Sequence, residues 1–173
     1  MLSSFFLGLC FFLFAFAVSI FAIYLCFKVV MRITKYDDIY LINKNNVSVS
    51  LVLTASFIAM AIMIKNALYP MNAVLQDFWF SAQKSLSEYL YLGSRALGYL
   101  TLTVLLSLAS ISAALIIFQK LTKDINEETQ IKQNNVAVGL LLAGVLIAFA
   151  IMVESGISDF INALIPVRDL FDR

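Results

Sequence analysis

Two ionisable side chains sit where charge is costly. Lys65 and Glu154 each stand about 18 residues into a long apolar run, about 27 Å along a helix. An ammonium and a carboxylate at one depth of a bilayer could pair across two helices. Alternatively, each could snorkel alone to the headgroups. Asp37 and Asp38, and Asp124, Glu127 and Glu128, form two further acidic groups. Clustered carboxylates invite metal binding or acid–base work. These sit among lysines in polar connecting segments, which favours solvated, charge-balanced loops. Histidine, the commonest general base and metal ligand, is absent from the sequence. Cys10 and Cys26 lie in one apolar run, about 24 Å apart on a helix, too far for a disulfide between them. Asn45, Asn46, Asn134 and Asn135 form two pairs, each just before an apolar run. Asparagine there caps free helix N–H groups, and the other reading is a polar ring at a pore mouth.

The elements that must carry these residues are apolar. The 173 residues are 62% hydrophobic and 13% charged, with mean hydropathy +0.93. That leaves too few charges to coat a soluble surface. A net charge of +1 offers no broad basic face for nucleic acid. Four runs approach or exceed the roughly 17–25 residues of a membrane-spanning helix: about Phe5–Val30, Val47–Ile64, Leu90–Phe118 and Val136–Val153. They lack strict alternation and are too long for barrel strands. The first run has no basic residue before it and exceeds the usual length of a leader's apolar core, so it reads as a retained anchor. Lys28, Arg32, Lys35, Lys44, Lys120, Lys123 and Lys132 flank one side. Lys65, Lys84, Arg95, Arg168 and Arg173 flank the other. The bias puts the two basic loops in the cytoplasm and both termini outside.

Between the second and third runs, Val74, Leu75, Phe78, Trp79, Ala82, Leu86, Tyr89 and Leu90 recur at helical spacing. This predicts an interfacial amphipathic helix over about 71–89. The tail at 159–173 reads as a shorter counterpart.

A shift of 89 residues lays one half on the other, with eleven identities between 45–63 and 134–152, including both Asn-Asn pairs. Upstream, Thr34 and Lys35 correspond to Thr122 and Lys123. Each unit is span, basic loop, Asn-Asn, span. Two spans per unit make the copies parallel, related by a pseudo-two-fold axis along the membrane normal. The expected fold is all-α: a polytopic integral membrane protein of four transmembrane helices in a single membrane domain. Repeat one covers about 1–75 and repeat two about 90–173. Gly139, Ala143 and Ala150 share one face of the fourth span, and Gly144 and Ala148 another. Their counterparts in the second span are Ser50, Thr54 and Ala61, then Ala55 and Ala59. Small residues four apart let helices approach closely. The second and fourth spans are therefore expected at the centre. The first, with Phe5, Phe6, Phe11, Phe12, Phe14 and Phe16, is expected to face lipid.

Basic loop, threonine, acidic stretch, then asparagine followed by small and aliphatic residues resembles the YjfL-like bacterial membrane family, a domain of unknown function (DUF350). The likeness is most specific over 32–63 and 120–152. The family pattern usually has Gly before the Asn; Asn45 and Asn134 occupy that place. The resemblance implies two tandem repeats in a four-span inner-membrane protein, with an association with envelope maintenance. It implies no established activity. The residues favour a non-enzymatic subunit or scaffold, homo-oligomeric, with lipid and a membrane or cytoplasmic protein as partners. The rival is a small oligomeric channel or transporter, although the central spans hold few polar residues. An enzyme ranks third: no nucleophile elbow, phosphate loop or metal spacing is present, and no cofactor is expected.

Overall fold

The computed structural model describes residues 2–34, 38–69, 72, 76, 85–121 and 127–164. Among the described residues, six α-helices are bounded in chain order: α1 (Leu2–Thr34), α2 (Asp38–Asn43), α3 (Val47–Ile64), α4 (Leu86–Leu121), α5 (Glu127–Lys132) and α6 (Val136–Leu164). A single 3-10 turn, Lys65–Ala67, tightens the end of α3. No strand occurs among the described residues. Helices α1, α3, α4 and α6 are long and apolar enough to cross a membrane. The expected amphipathic stretch from 71 to 84 lies outside the described residues apart from Asn72 and Gln76, while Leu86–Leu90 begins α4. Of the expected counterpart in the tail, Asp159–Leu164 continues α6 and 165–173 lie outside.

The helices pack as two hairpins laid side by side. Helix α1 packs on α3 and α4, and α6 also packs on α3 and α4. The broadest contact runs between α3 and α6. Lipid removes the hydrophobic drive for this association, so close packing and interhelical hydrogen bonds must supply it. Met60, Met63, Ile111, Leu115, Leu146 and Ile161 are the largest fully buried side chains. Flexible methionines suit the irregular gap beside α3. On α1, Phe5, Phe6, Phe12 and Phe16 are exposed, and Phe11 and Phe14 are half-buried. That surface suits lipid.

Two expectations change here. Helices α3 and α6 share the broadest contact, and α4 joins them in the interior: α3 and α4 each pack on the three other long helices. The pseudo-two-fold axis also fails, because such an axis buries equivalent residues on both copies. Ser48, Ala55 and Ala59 are buried on α3, but their images Ala137, Gly144 and Ala148 are exposed. Gly139, Ala143 and Ala150 are buried on α6, while Ser50 is half-buried and Thr54 and Ala61 are exposed. Each helix therefore uses one of its two small-residue faces, and the two copies use different ones.

Candidate functional site

The hydrogen bonds and the ion pair that cross the α3–α6 seam gather at its two ends. At one end lie the Asn-Asn pairs. Asn45 and Asn134 adopt left-handed backbone conformations, with φ of 58° and 61°. Each closes a short helix. Asn45 N–H donates to Ile42 O at 2.9 Å, and Asn46 N–H to Leu41 O at 3.0 Å. Asn134 N–H donates to Ile131 O at 3.0 Å, and Asn135 N–H to Gln130 O at 2.9 Å. This pair of bonds is a Schellman motif, which demands a left-handed residue at its C′ position. Glycine and asparagine are the residues that enter that region readily. Asn45→Gly is therefore expected to leave thermal unfolding in detergent nearly unchanged. Asn45→Val should destabilise by about 1–2 kcal/mol. Equal stability of the two variants would contradict the backbone assignment.

The second Asn of each pair starts the next span. Asn46 Oδ1 accepts from Val49 N–H at 3.0 Å. Asn135 Oδ1 accepts from Ala137 N–H at 3.2 Å and Val138 N–H at 3.4 Å. One Asn ends a helix and the next begins one, so each copy carries both.

The two copies interlock unequally at this end. Asn46 is buried, and its Nδ2 donates to Ile131 O at 2.8 Å and Lys132 O at 3.2 Å in the other copy. In return, Asn134 Oδ1 accepts from Ser48 N–H at 3.1 Å. Ser48 Oγ donates to Asn135 O at 3.0 Å. Asn135 Nδ2 stays within its own copy, donating to Gln130 Oε1 at 2.8 Å. Gly139 makes the approach possible: a Cβ there would lie 2.3 Å from Ser48 Oγ and 2.8 Å from Ser48 Cα.

At the other end, Lys65 Nζ lies 3.4 Å from Glu154 Oε1, and Asn66 Nδ2 donates to the same oxygen. The Glu154 side chain is 18% exposed and that of Lys65 59%. Contacts at both ends of the seam make α3 and α6 parallel neighbours. Reversing either charge alone is expected to lower stability. Reversing both should restore most of the loss, with a coupling of about 1 kcal/mol or less for so exposed a lysine. A double variant as damaged as the two singles summed would remove the pair from the account.

Between these ends the hydroxyls turn inward on their own helices. Ser56 Oγ donates to Val52 O at 2.8 Å, Thr103 Oγ1 to Tyr99 O at 2.8 Å, and Ser107 Oγ to Thr103 O at 2.7 Å. Cys26 Sγ lies 3.5 Å from Ser56 O, and both cysteines are free thiols. Among the loop acids, Glu128 pairs with Lys132 at 2.6 Å. Asp37 and Asp124 lie outside the described residues, as do the side chains of Asp38 and Glu127. Among the described residues, no three His, Cys, Asp or Glu side chains gather as a metal site would require.

Sequence reasoning missed Ser48 and Asn66. Ser48 matches Ala137 under the repeat, so the alignment gave it no special standing. Asn66 adjoins Lys65, and helical spacing alone does not aim it at Glu154.

The chain is thus a multi-pass helical membrane protein built from two parallel tandem units. It belongs to the family described as Domain of Unknown Function (DUF350), whose model matches residues 3–94 and again 91–167. No curated protein matches the chain, and no solved structure does.

Proposed function

We propose that this protein is a non-enzymatic, self-assembling subunit of the bacterial inner membrane. It serves as a scaffold for a membrane or cytoplasmic partner in envelope maintenance. The observation that carries this reading is the commitment of the polar side chains. Asn46, Asn134, Ser48, Asn66 and Glu154 bind helix to helix, and the buried hydroxyls bond their own carbonyls. A structural role fits that use better than passage of a solute. The Lys/Arg bias supports a cytoplasmic position for the Asn-Asn end and outside positions for both termini. The envelope role rests on family resemblance alone.

A small oligomeric channel is the second reading. It draws on one observation: Ser50, half-buried, and Thr54, exposed, place hydroxyls on the open side of α3. Purification in lipid nanodiscs with co-purifying proteins identified, alongside ion flux in liposomes, separates the two. The scaffold predicts a multi-chain particle or a stoichiometric second protein, and no flux. An ion flux abolished by Thr54→Leu, at the exposed hydroxyl on which this reading rests, would establish the channel instead.

A further inference from the structure

We propose that copies of this chain join head to tail, with α6 of one chain seated on α3 of the next. The junction would repeat the contact that already joins the two repeats within a chain. The inference rests on the self-assembling reading above and specifies its interface.

The contact within the chain is heterologous. Ser48 of α3 and Asn66 of the turn that ends it touch α6, and Val52, Ala55 and Ala59 are buried at helical spacing in a line between them. Helix α6 contributes Gly139, Ala143, Leu146, Ala150 and Glu154. Its anchors are Ser48 on Gly139 and Asn135 at one end, and Asn66 on Glu154 at the other. Moved by 89 residues, the α3 line falls on Ala137, Leu141, Gly144, Ala148 and Ser155 of α6, and all five are exposed. The α6 line falls on Ser50, Thr54, Phe57, Ala61 and Lys65 of α3. Ser50 and Phe57 are half-buried, and the other three are exposed. Each chain thus uses one half of a repeated contact at each helix and leaves most of the complementary halves open, with the Phe57 ring meeting Phe27 of α1 at 6.4 Å. A heterologous contact that recurs builds a ring when its rotation closes.

Charge at the outer end selects a second copy as the occupant. Within the chain, Glu154 of α6 meets Lys65 of α3. Between chains, Lys65 of the next chain would approach Glu154 where that carboxylate already holds Lys65 and Asn66 of its own chain, so lysine and glutamate alternate around the assembly. Opposite charges then meet at every junction. Had both repeats kept Lys, or both kept Glu, every junction would set like charges together. The new junction differs at the Asn-Asn end, where Ser50 faces Ala137 in place of Gly139 facing Ser48. Without glycine the helices stand further apart there. Asn45 has no side-chain partner among the described residues, and it holds the left-handed conformation of Asn134, which caps across the internal seam. Ala137 N–H is held by Asn135 Oδ1 of its own chain, so the Asn134–Ser48 bond has no counterpart at the new junction.

The test is oxidative cross-linking in native membranes, with Cys10 and Cys26 replaced. The double variant Ser50→Cys/Ala137→Cys is expected to give a ladder of dimer, trimer and higher species with loss of monomer. Each single variant should stay monomeric. A second pair, Ala61→Cys/Ala148→Cys, repeats the test deeper in the spans. Monomer alone from both pairs, which leaves lipid as the occupant, overturns the proposal. So does a dimer formed by Ala137→Cys alone, the mark of a two-fold contact. Particle mass in nanodiscs is measured alongside. A monomeric particle sinks the self-assembling reading as well, while a multi-chain particle without a ladder sinks only the head-to-tail contact.

Discussion

Gly139→Val is expected to pry α3 from α6 and to be among the most damaging single changes in the chain. Even a Cβ at this position would lie 2.8 Å from the Ser48 Cα, a backbone atom that no rotamer change can move. Overpacking a tight site typically costs about 1–3 kcal/mol. This one also stretches the Ser48–Asn135 and Ser48–Asn134 bonds that flank it. Thermal unfolding in detergent should show a large drop for Gly139→Val and a smaller one for Gly139→Ala. Adding Ser48→Gly to Gly139→Ala should recover part of the loss, because it removes Oγ and Cβ but leaves Cα. Gly144→Ala, on the same helix with nothing within 4 Å of its Cβ position, should leave the chain's own fold intact. Equal effects at the two glycines would mean that α6 does not approach α3 through Gly139.

The second large effect is an inequality between residues that the repeat makes equivalent. Asn46→Ala removes the cap on Val49 and both side-chain bonds that cross to the other copy, to Ile131 O, which keeps Asn134 N–H, and to Lys132 O. Loss of a cap costs about 1 kcal/mol. Each of the two lost bonds between the copies adds about 0.5–1.5 kcal/mol. Asn135→Ala loses a cap and one bond to Gln130 within its own copy, at a half-buried position, so about 1 kcal/mol is expected. Asn46→Asp separates the two roles: it keeps the cap and aims a carboxylate at two carbonyl oxygens. It should be as damaging as alanine or more so. Similar unfolding temperatures for Asn46→Ala and Asn135→Ala would show that the copies do not interlock through Asn46.

The spans were legible because apolar length is a strong signal, and the start of α3 was legible because Asn46 marks it. The ends of α1, α4 and α6 run past the apolar runs, since a helix continues through residues such as Glu154 when its backbone bonds persist. The short helices α2 and α5 were not legible: six residues hold too little periodicity to read. Nor was the role of Asn45 and Asn134 as the closing residues of those helices, because it depends on the helices being there. The repeat announced parallel copies but not which face each would bury. Equivalent positions on α3 and α6 carry similar small residues, so composition does not choose between faces. The choice follows from α1 and α4 both lying against α3, a fact of tertiary packing. For the same reason the sequence put Lys65 and Glu154 at one depth without deciding whether they met.

Thiol cross-linking within one chain tests the α3–α6 seam most directly. In a background without Cys10 and Cys26, Lys65→Cys with Glu154→Cys should be joined intramolecularly by a short bis-maleimide in native membranes. Lys65→Cys with Gln133→Cys should not. Joining of the second pair and not the first would set the two helices head to foot and contradict the side-by-side, parallel repeats on which the account is built.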